Sequence, residues 1–94
     1  MTDLAGKTAL VTGSTQGIGL AIAREMVAAG ARVALHGLAD AEGAAAARWE
    51  VEAAGAAETC FHGTDMRDFA AVDRMMEALQ DWGGVDILVN CAGI

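Results

Sequence analysis

Thr12 to Gly19 reads TGSTQGIG, and it lies where the apolar run Ala9-Leu10-Val11 gives way to an amphipathic pattern beginning at Ile18. A strand that enters a helix through such a glycine-rich turn leaves few architectures open. Gly13 and Gly17 can adopt backbone angles that a Cβ forbids, and Gly19 lets the helix approach the strand closely. The first helical N–H groups have no intrahelical partner, so with the helix dipole they face any anion placed there, a diphosphate included. The string alone also fits an ordinary turn. Its place after a strand and before a helix is the context in which it reads as a phosphate-binding turn.

The rest of the chain alternates in the same way. Lys7 to Thr12 reads as the first strand. The helix after it runs from about Gly17 to Ala29, with Ile18, Ile22, Met26 and Ala29 at helical spacing and Gly30 placed to end it. Arg32 to His36 is a second strand, and Gly37 turns the chain toward an alanine-rich helix over Asp40 to Ala54, whose buried stripe is Ala44, Ala47, Val51 and Ala54. Glu58 to His62 reads as the third strand. Asp68 suits the cap of a helix carrying Phe69, Val72, Met76 and Leu79 on one face; Gly83-Gly84 ends it, and Val85 to Asn90 is the fourth strand. Short apolar strands separated by helices imply parallel pairing with right-handed crossovers. The expectation is an α/β fold, a doubly wound parallel sheet (βαβαβαβ, strand order 3-2-1-4) in a three-layer sandwich, with residues 1–94 as a single domain.

Composition narrows the partners. The chain has 94 residues, 54% of them hydrophobic, with no Pro and no Tyr. A net charge of −7, with only six Lys and Arg, argues against nucleic acid or an anionic membrane surface. An anionic cofactor is not excluded, because a glycine-rich helix start uses local backbone donors. No apolar run approaches the roughly 20 residues of a membrane helix, and Met1 to Lys7 has no signal pattern, so a cytoplasmic protein is expected. Cys60 and Cys91 form no CxxC pair and have no ligand-spaced histidines; they read as buried thiols, with no metal site.

TGSTQGIG, Asp65 just after the third strand, and Val89-Asn90-Cys91-Ala92-Gly93 after the fourth together resemble the N-terminal part of the short-chain dehydrogenase/reductase family. That family's forms are TGxxxGxG and NNAG, and here Cys91 stands in place of the second Asn. The resemblance spans about Leu4 to Ile94. Within the family, Val11 to Leu20, His36-Gly37 with Ala39-Asp40, and Gly63 to Met66 are most similar to bacterial 3-hydroxybutyrate dehydrogenases. The resemblance implies a partial Rossmann fold that binds NAD(P). Gly13, Gly17, Ile18 and Gly19 would line the diphosphate, with Thr15 and Gln16 beside them. Asp65 would accept from the adenine amino group, and the Met66 backbone would lie along the ring. Asn90, Ala92 and Gly93 would border the ribose and hold the central strands together.

Cofactor choice turns on the end of the second strand, where an acidic side chain favours a ribose and an Arg favours a 2′-phosphate. This chain has His36-Gly37-Leu38, which is neither. Asp40 is near the right distance but suits the next helix's N-cap better. No Arg or Lys lies between Arg32 and Arg48, so NAD is expected ahead of NADP. The His36 imidazole could donate to a ribose hydroxyl, or to a phosphate if protonated; it also reads as a neutral histidine ending a strand.

In the resembled family a Ser, a Tyr and a Lys carry hydride transfer, downstream of the NNAG-like motif. No catalytic residue is therefore expected among these 94, and the chain reads as a cofactor-binding half truncated before its catalytic part. The resemblance implies a complete enzyme that is a homo-oligomer acting on a small hydroxy/oxo substrate, 3-hydroxybutyrate/acetoacetate first and a 3-oxoacyl thioester second. A non-catalytic dinucleotide-binding module is the reading from a different class. Alone, the chain would leave Val85 to Asn90 as an apolar edge strand, a template for association, and would be inactive.

Overall fold

The computed structural model describes residues 3–55 and 58–92. Four strands and three helices alternate along them: β1 (Thr8–Thr12), α1 (Gly17–Ala28), β2 (Arg32–His36), α2 (Ala41–Glu52), β3 (Thr59–His62), α3 (Phe69–Asp81) and β4 (Ile87–Asn90). All strand pairs are parallel, in the order β3-β2-β1-β4. This is the expected order, and it puts β4 at an edge.

The sheet is covered on both faces along β1 and β2, which is why those strands read as continuous apolar runs; the edge strand β4 alternates, with Leu88 61% exposed. Ala9, Val11, Val33 and Leu35 point to one face, where they meet Ala23 and Val27 of α1 with Ala47 and Val51 of α2. Leu10 and Ala34 point to the other and meet Met75 and Leu79 of α3. Three layers result. Each fully buried Leu or Val contributes about 1.5–3 kcal/mol of transfer free energy, so β1, buried along its whole length, anchors both layers.

β2 has the expected bounds, whereas β1, β3 and β4 begin one or two residues later than expected from Lys7, Glu58 and Val85. At β4 the cause is Asp86, whose amide donates to the Thr8 carbonyl (2.8 Å) while its carboxylate accepts from the Thr8 amide (2.9 Å). A side chain takes the place of a backbone acceptor there, and the ladder with β1 starts at Ile87 opposite Ala9. The caps expected at Asp40 and Asp68 are present: Asp40 accepts from the Gly43 amide at 2.7 Å and Asp68 from the Ala71 amide at 3.1 Å.

Two helix faces differ from expectation. In α1 the buried positions are Gly19, Ala23 and Val27, whereas Ile18 is 71% exposed and Ile22 and Met26 are half-buried. Small residues let α1 lie close on β1; Ile18 is turned outward, while Ile22 and Met26 pack at the margin of the core, and the three line with Leu4 an apolar groove of about 430 Å³. In α3 Met75 and Leu79 face the core, while Phe69 and Met76 lie outside it. The C-terminal end of this helix is held by Arg32, which donates to the Trp82 carbonyl at 2.6 Å and lies over the indole ring at 3.8 Å from its centroid. The two cysteines are half-buried instead of fully buried, Cys60 because β3 is an edge strand and Cys91 because it borders an open cleft. Burial still pushes the Cys60 thiol up to about 11.

The corrected facing of α3 is testable by urea denaturation of the chain. Leu79→Ala is expected to cost about 2–5 kcal/mol, because it opens a cavity against Leu10. Phe69→Ala is expected to stay within about 0.5 kcal/mol, as for an exposed side chain. Similar losses at both positions would mean that the helix is turned the other way.

Candidate functional site

A cleft of about 610 Å³ opens at the carboxyl ends of the strands, beside the point where β4 and β2 leave β1 in opposite directions. Ligands of open parallel α/β sheets bind at such a point. The turn from β1 to α1 forms its floor. Gly13 and Gly17 have φ of +62° and +61°, which side chains with a Cβ rarely adopt. A Cβ on Gly19 would overlap the Gly13 carbonyl oxygen, so this glycine is required for the helix to sit on the turn at all. Nothing stands within 4 Å of the place a Gly17 Cβ would take, which leaves that side of the turn open to the cleft.

The amino end of α1 is not capped by a side chain. Its N-cap residue is Gln16, in extended backbone, and the Gln16 side chain makes no cap hydrogen bond. The other two helices have Asp caps. The N–H groups of Gly17, Ile18 and Gly19 therefore end α1 without intrahelical partners, beside the cleft that these residues line. Thr15 and Gln16 lie next to them. Gly37, after β2, leaves room for the Thr15 side chain, and Leu38 is an exposed wall.

His36 ends β2 and is buried. Its Nδ1 accepts from the Gly13 amide at 3.0 Å, which requires the proton to be on Nε2, and Nε2–H donates to the Thr64 carbonyl at 2.7 Å. Both ring nitrogens are thus engaged within the chain. Of the two readings of His36, the geometry has the neutral strand-end histidine and leaves no ring N–H to donate to a ribose hydroxyl or a phosphate: the imidazole fastens the glycine turn to the loop after β3. Ser14 completes the fastening, its amide donating to the His36 carbonyl (2.7 Å) and its Oγ accepting from the His36 amide (3.0 Å).

Asp65 and Met66 bring the loop after β3 to the cleft. The Asp65 carboxylate accepts from the Arg67 amide and Nε, both at 3.0 Å, and from one terminal nitrogen of Arg67 at 2.9 Å. These hydrogen bonds from Arg67 hold the Asp65 carboxyl down at about 2. After β4, Thr12 Oγ1 donates to Asn90 Oδ1 (2.9 Å) and accepts from the amides of Cys91 and Ala92 (3.0 and 3.1 Å). Ala92 lines the cleft, whereas Asn90 stands back from it and braces β4 against β1. Gly93 lies outside the described residues.

Sequence reasoning missed Arg67, Thr64 and Cys91 as lining residues and gave Thr12 no role of its own. Arg67 was legible locally, because an Asp two residues before an Arg favours a side-chain-to-backbone turn. Its arrival beside the β2 end was not, since that depends on β3 pairing with β2. Among the described residues, no cluster of His, Cys, Asp and Glu could hold a metal ion, and no helix is long and apolar enough to cross a membrane.

A parallel α/β sheet with a glycine turn and an uncapped helix start at its switch point defines a Rossmann-like nucleotide-binding fold. The sequence profile of the short chain dehydrogenase family matches residues 7–94, and the chain belongs to that family of oxidoreductases. It is 50% identical over 93 residues to a D-beta-hydroxybutyrate dehydrogenase of Cupriavidus necator, an alignment covering 97% of this chain and 35% of that protein. An NADP-bound 3-oxoacyl (acyl-carrier-protein) reductase of Agrobacterium tumefaciens superposes with a TM-score of 0.86 at 36% identity, over 99% of this chain and 35% of that one. An NADH-dependent reductase complexed with NAD superposes with a TM-score of 0.83 at 36% identity, over 95% and 37%. The chain spans about a third of the length of these relatives.

The Asp65–Arg67 pair generates a pH prediction. The folded carboxyl titrates at about 2 against an ordinary 3.8, so the pair favours the folded chain above about pH 4 and that contribution is lost as pH falls through the folded value. Carboxyl NMR is expected to place the Asp65 midpoint near 2 and to return it toward 3.8 in Arg67→Ala. An unmoved midpoint would sink the assignment.

Proposed function

We propose that this chain is the cofactor-binding part of a nicotinamide-dinucleotide oxidoreductase, that it takes NAD in preference to NADP, and that the whole protein interconverts 3-hydroxybutyrate and acetoacetate. The observation that carries the reading is the uncapped start of α1 at the floor of an open cleft, with free N–H donors where a diphosphate's charge would lie. The residues fit such a cofactor. The space beside Gly17 admits a diphosphate, the Asp65 carboxylate retains lone pairs for an adenine amino group, and Met66 supplies an apolar surface for the ring. When bound, the nicotinamide supplies the hydride chemistry. These residues hold and orient it, while the acid/base group lies in the remainder of the protein, since the 94 residues include no Tyr.

The substrate reading is supported by the likeness to the Cupriavidus necator dehydrogenase. The NAD preference is supported by the exposed Leu38 where a 2′-phosphate would look for a cation. One observation favours a second reading, an NADP-dependent 3-oxoacyl-thioester reductase: Arg67 brings a guanidinium to the same cleft, and the superposable reductase of that description is NADP-bound. The engagement of Arg67 with Asp65 supports the NAD reading over this one.

Calorimetric titration of the chain decides between them. NAD+ is expected to bind more tightly than NADP+, and Leu38→Arg to move the preference toward NADP+, because a guanidinium pairs bidentately with phosphate. Tighter NADP+ binding by the unaltered chain would establish the second reading. In the same assay Gly17→Val is expected to abolish binding, by setting a branched side chain where the diphosphate would lie, and Asp65→Ala to weaken it by about tenfold or less. Equal losses from both would mean that the turn is not the diphosphate site.

A further inference from the structure

Among the described residues, His36 is the side chain that joins the two halves of the cleft, and the way it does so admits one protonation state. The Gly13 amide points its hydrogen at Nδ1 from 3.0 Å, and the Thr64 carbonyl receives the hydrogen of Nε2 at 2.7 Å. An imidazolium has a proton on both nitrogens, so protonation would set N–H against N–H at Gly13. The other neutral tautomer fails at both ends. Ser14 and the strand ladder hold the backbone on either side, and His36 is only 3% exposed, so the ring cannot turn to water to escape the conflict.

We propose that His36 is a positioning residue for the dinucleotide, and that its neutral Nε2–H form holds the phosphate turn and the adenine loop in register, so that acidification loosens cofactor binding through this one side chain. The inference rests on the dinucleotide reading above. Its sign is what makes it informative. A positive charge beside the turn would by itself attract a diphosphate, so simple electrostatics predicts tighter binding in acid. Geometry predicts weaker binding, because losing the Gly13 hydrogen bond releases the turn that aims the helix N–H groups.

The other groups around His36 can be separated from it. His62 is its register partner on β3, with a pKa lowered first by burial and then by His36. Asp65 and Arg67, on the loop after β3, remain an ion pair throughout the histidine range. Cys91 borders the cleft from the β4 side, and Asp40, at the start of α2, has its carboxylate turned to the Gly43 amide. The β1–α1 turn contributes hydroxyls and no titratable side chain. The diphosphate of NAD+ keeps its charge over the same interval.

The test is calorimetric titration of the chain with NAD+ in steps from about pH 8 to about pH 5, on either side of the ordinary histidine value. Binding is expected to weaken about tenfold or more on acidification, as loss of one buried hydrogen bond implies. His36→Asn, which keeps a neutral acceptor near Gly13, is expected to flatten the profile, and His62→Asn to leave it unchanged. Tightening or no change in acid, or a dependence abolished by His62→Asn alone, would overturn the proposal. Imidazole nitrogen NMR of the unaltered chain needs no variant: at about pH 8 it is expected to report Nδ1 bare and Nε2 protonated. The reverse pattern also overturns the proposal. Absence of NAD+ binding at the higher pH defeats the dinucleotide reading instead, and the NMR arm then still decides the fastening role of His36.

Discussion

The contact on which the rest of the structure depends is that of Gly19 against the Gly13 carbonyl. No side chain fits between them, so the first turn of α1 rests directly on the chain that leaves β1. This backbone-on-backbone approach lets Ala23 and Val27 reach Val11 and Val33 and sets the spacing of the α1/α2 layer. It also leaves the helix N–H groups facing an open cleft without an intervening cap. A tight core and an uncapped helix start facing the cleft follow from one close approach. A Cβ at position 19 would disturb both together, through the same displacement of α1.

Around that approach two buried polar side chains finish the strand ends. Thr12 uses its one hydroxyl for three partners, spanning Asn90, Cys91 and Ala92, and thereby ties the edge strand β4 to β1. His36 does the corresponding work between β1 and β3, reaching Gly13 and Thr64 across the end of β2. A single hydrogen bond contributes only about 1 kcal/mol net, yet leaving a buried donor or acceptor without a partner costs about 1–3 kcal/mol, so these groups act chiefly by excluding other arrangements. No buried side-chain nitrogen or oxygen among the described residues lacks a partner. The loops that line the cleft are accordingly held from beneath, although most of their own side chains face solvent.

Strand and helix order, the parallel pairing and the location of the glycine turn were legible because each rests on local pattern: apolar runs bounded by glycine, Asp caps, and the spacing of glycines. Helix facing was less legible. Hydrophobic periodicity in α1 is dominated by Ile18, Ile22 and Met26, but the closest packing against a sheet selects the smallest residues, and Gly19 and Ala23 carry almost no periodic signal. In α3 neighbouring apolar pairs such as Met75-Met76 allow two stripes, and the choice was made by Leu10, Ala34 and the Arg32–Trp82 contact, none of which is local. The same limit hid Arg67. Its partner Asp65 was in view, but its place in the cleft depends on three strands meeting in register. Gly93 aside, the site residues named from sequence fall in or beside one cleft, and His36 and Asn90 use their side chains for hydrogen bonds within the chain, as a neutral strand-end histidine and a strand-holding asparagine respectively.

An acidic chain with an uncapped helix start at its cleft presents an electrostatic question that the geometry answers. The net charge of −7 is carried by side chains that mostly lie on exposed helix surfaces, where water and salt screen them within about 8–10 Å. Among the described residues that line the cleft the one carboxylate, Asp65, is matched by Arg67 at 2.9 Å, so the pair presents little net charge to an incoming ligand. His36 is neutral by its hydrogen bonding. What remains unbalanced is the positive end of α1, worth about half an elementary charge and directed by N–H groups that have no competing cap. The sign of the cleft is therefore set by backbone and not by charged side chains. A site of this kind can hold a diphosphate in a protein whose overall charge would repel it.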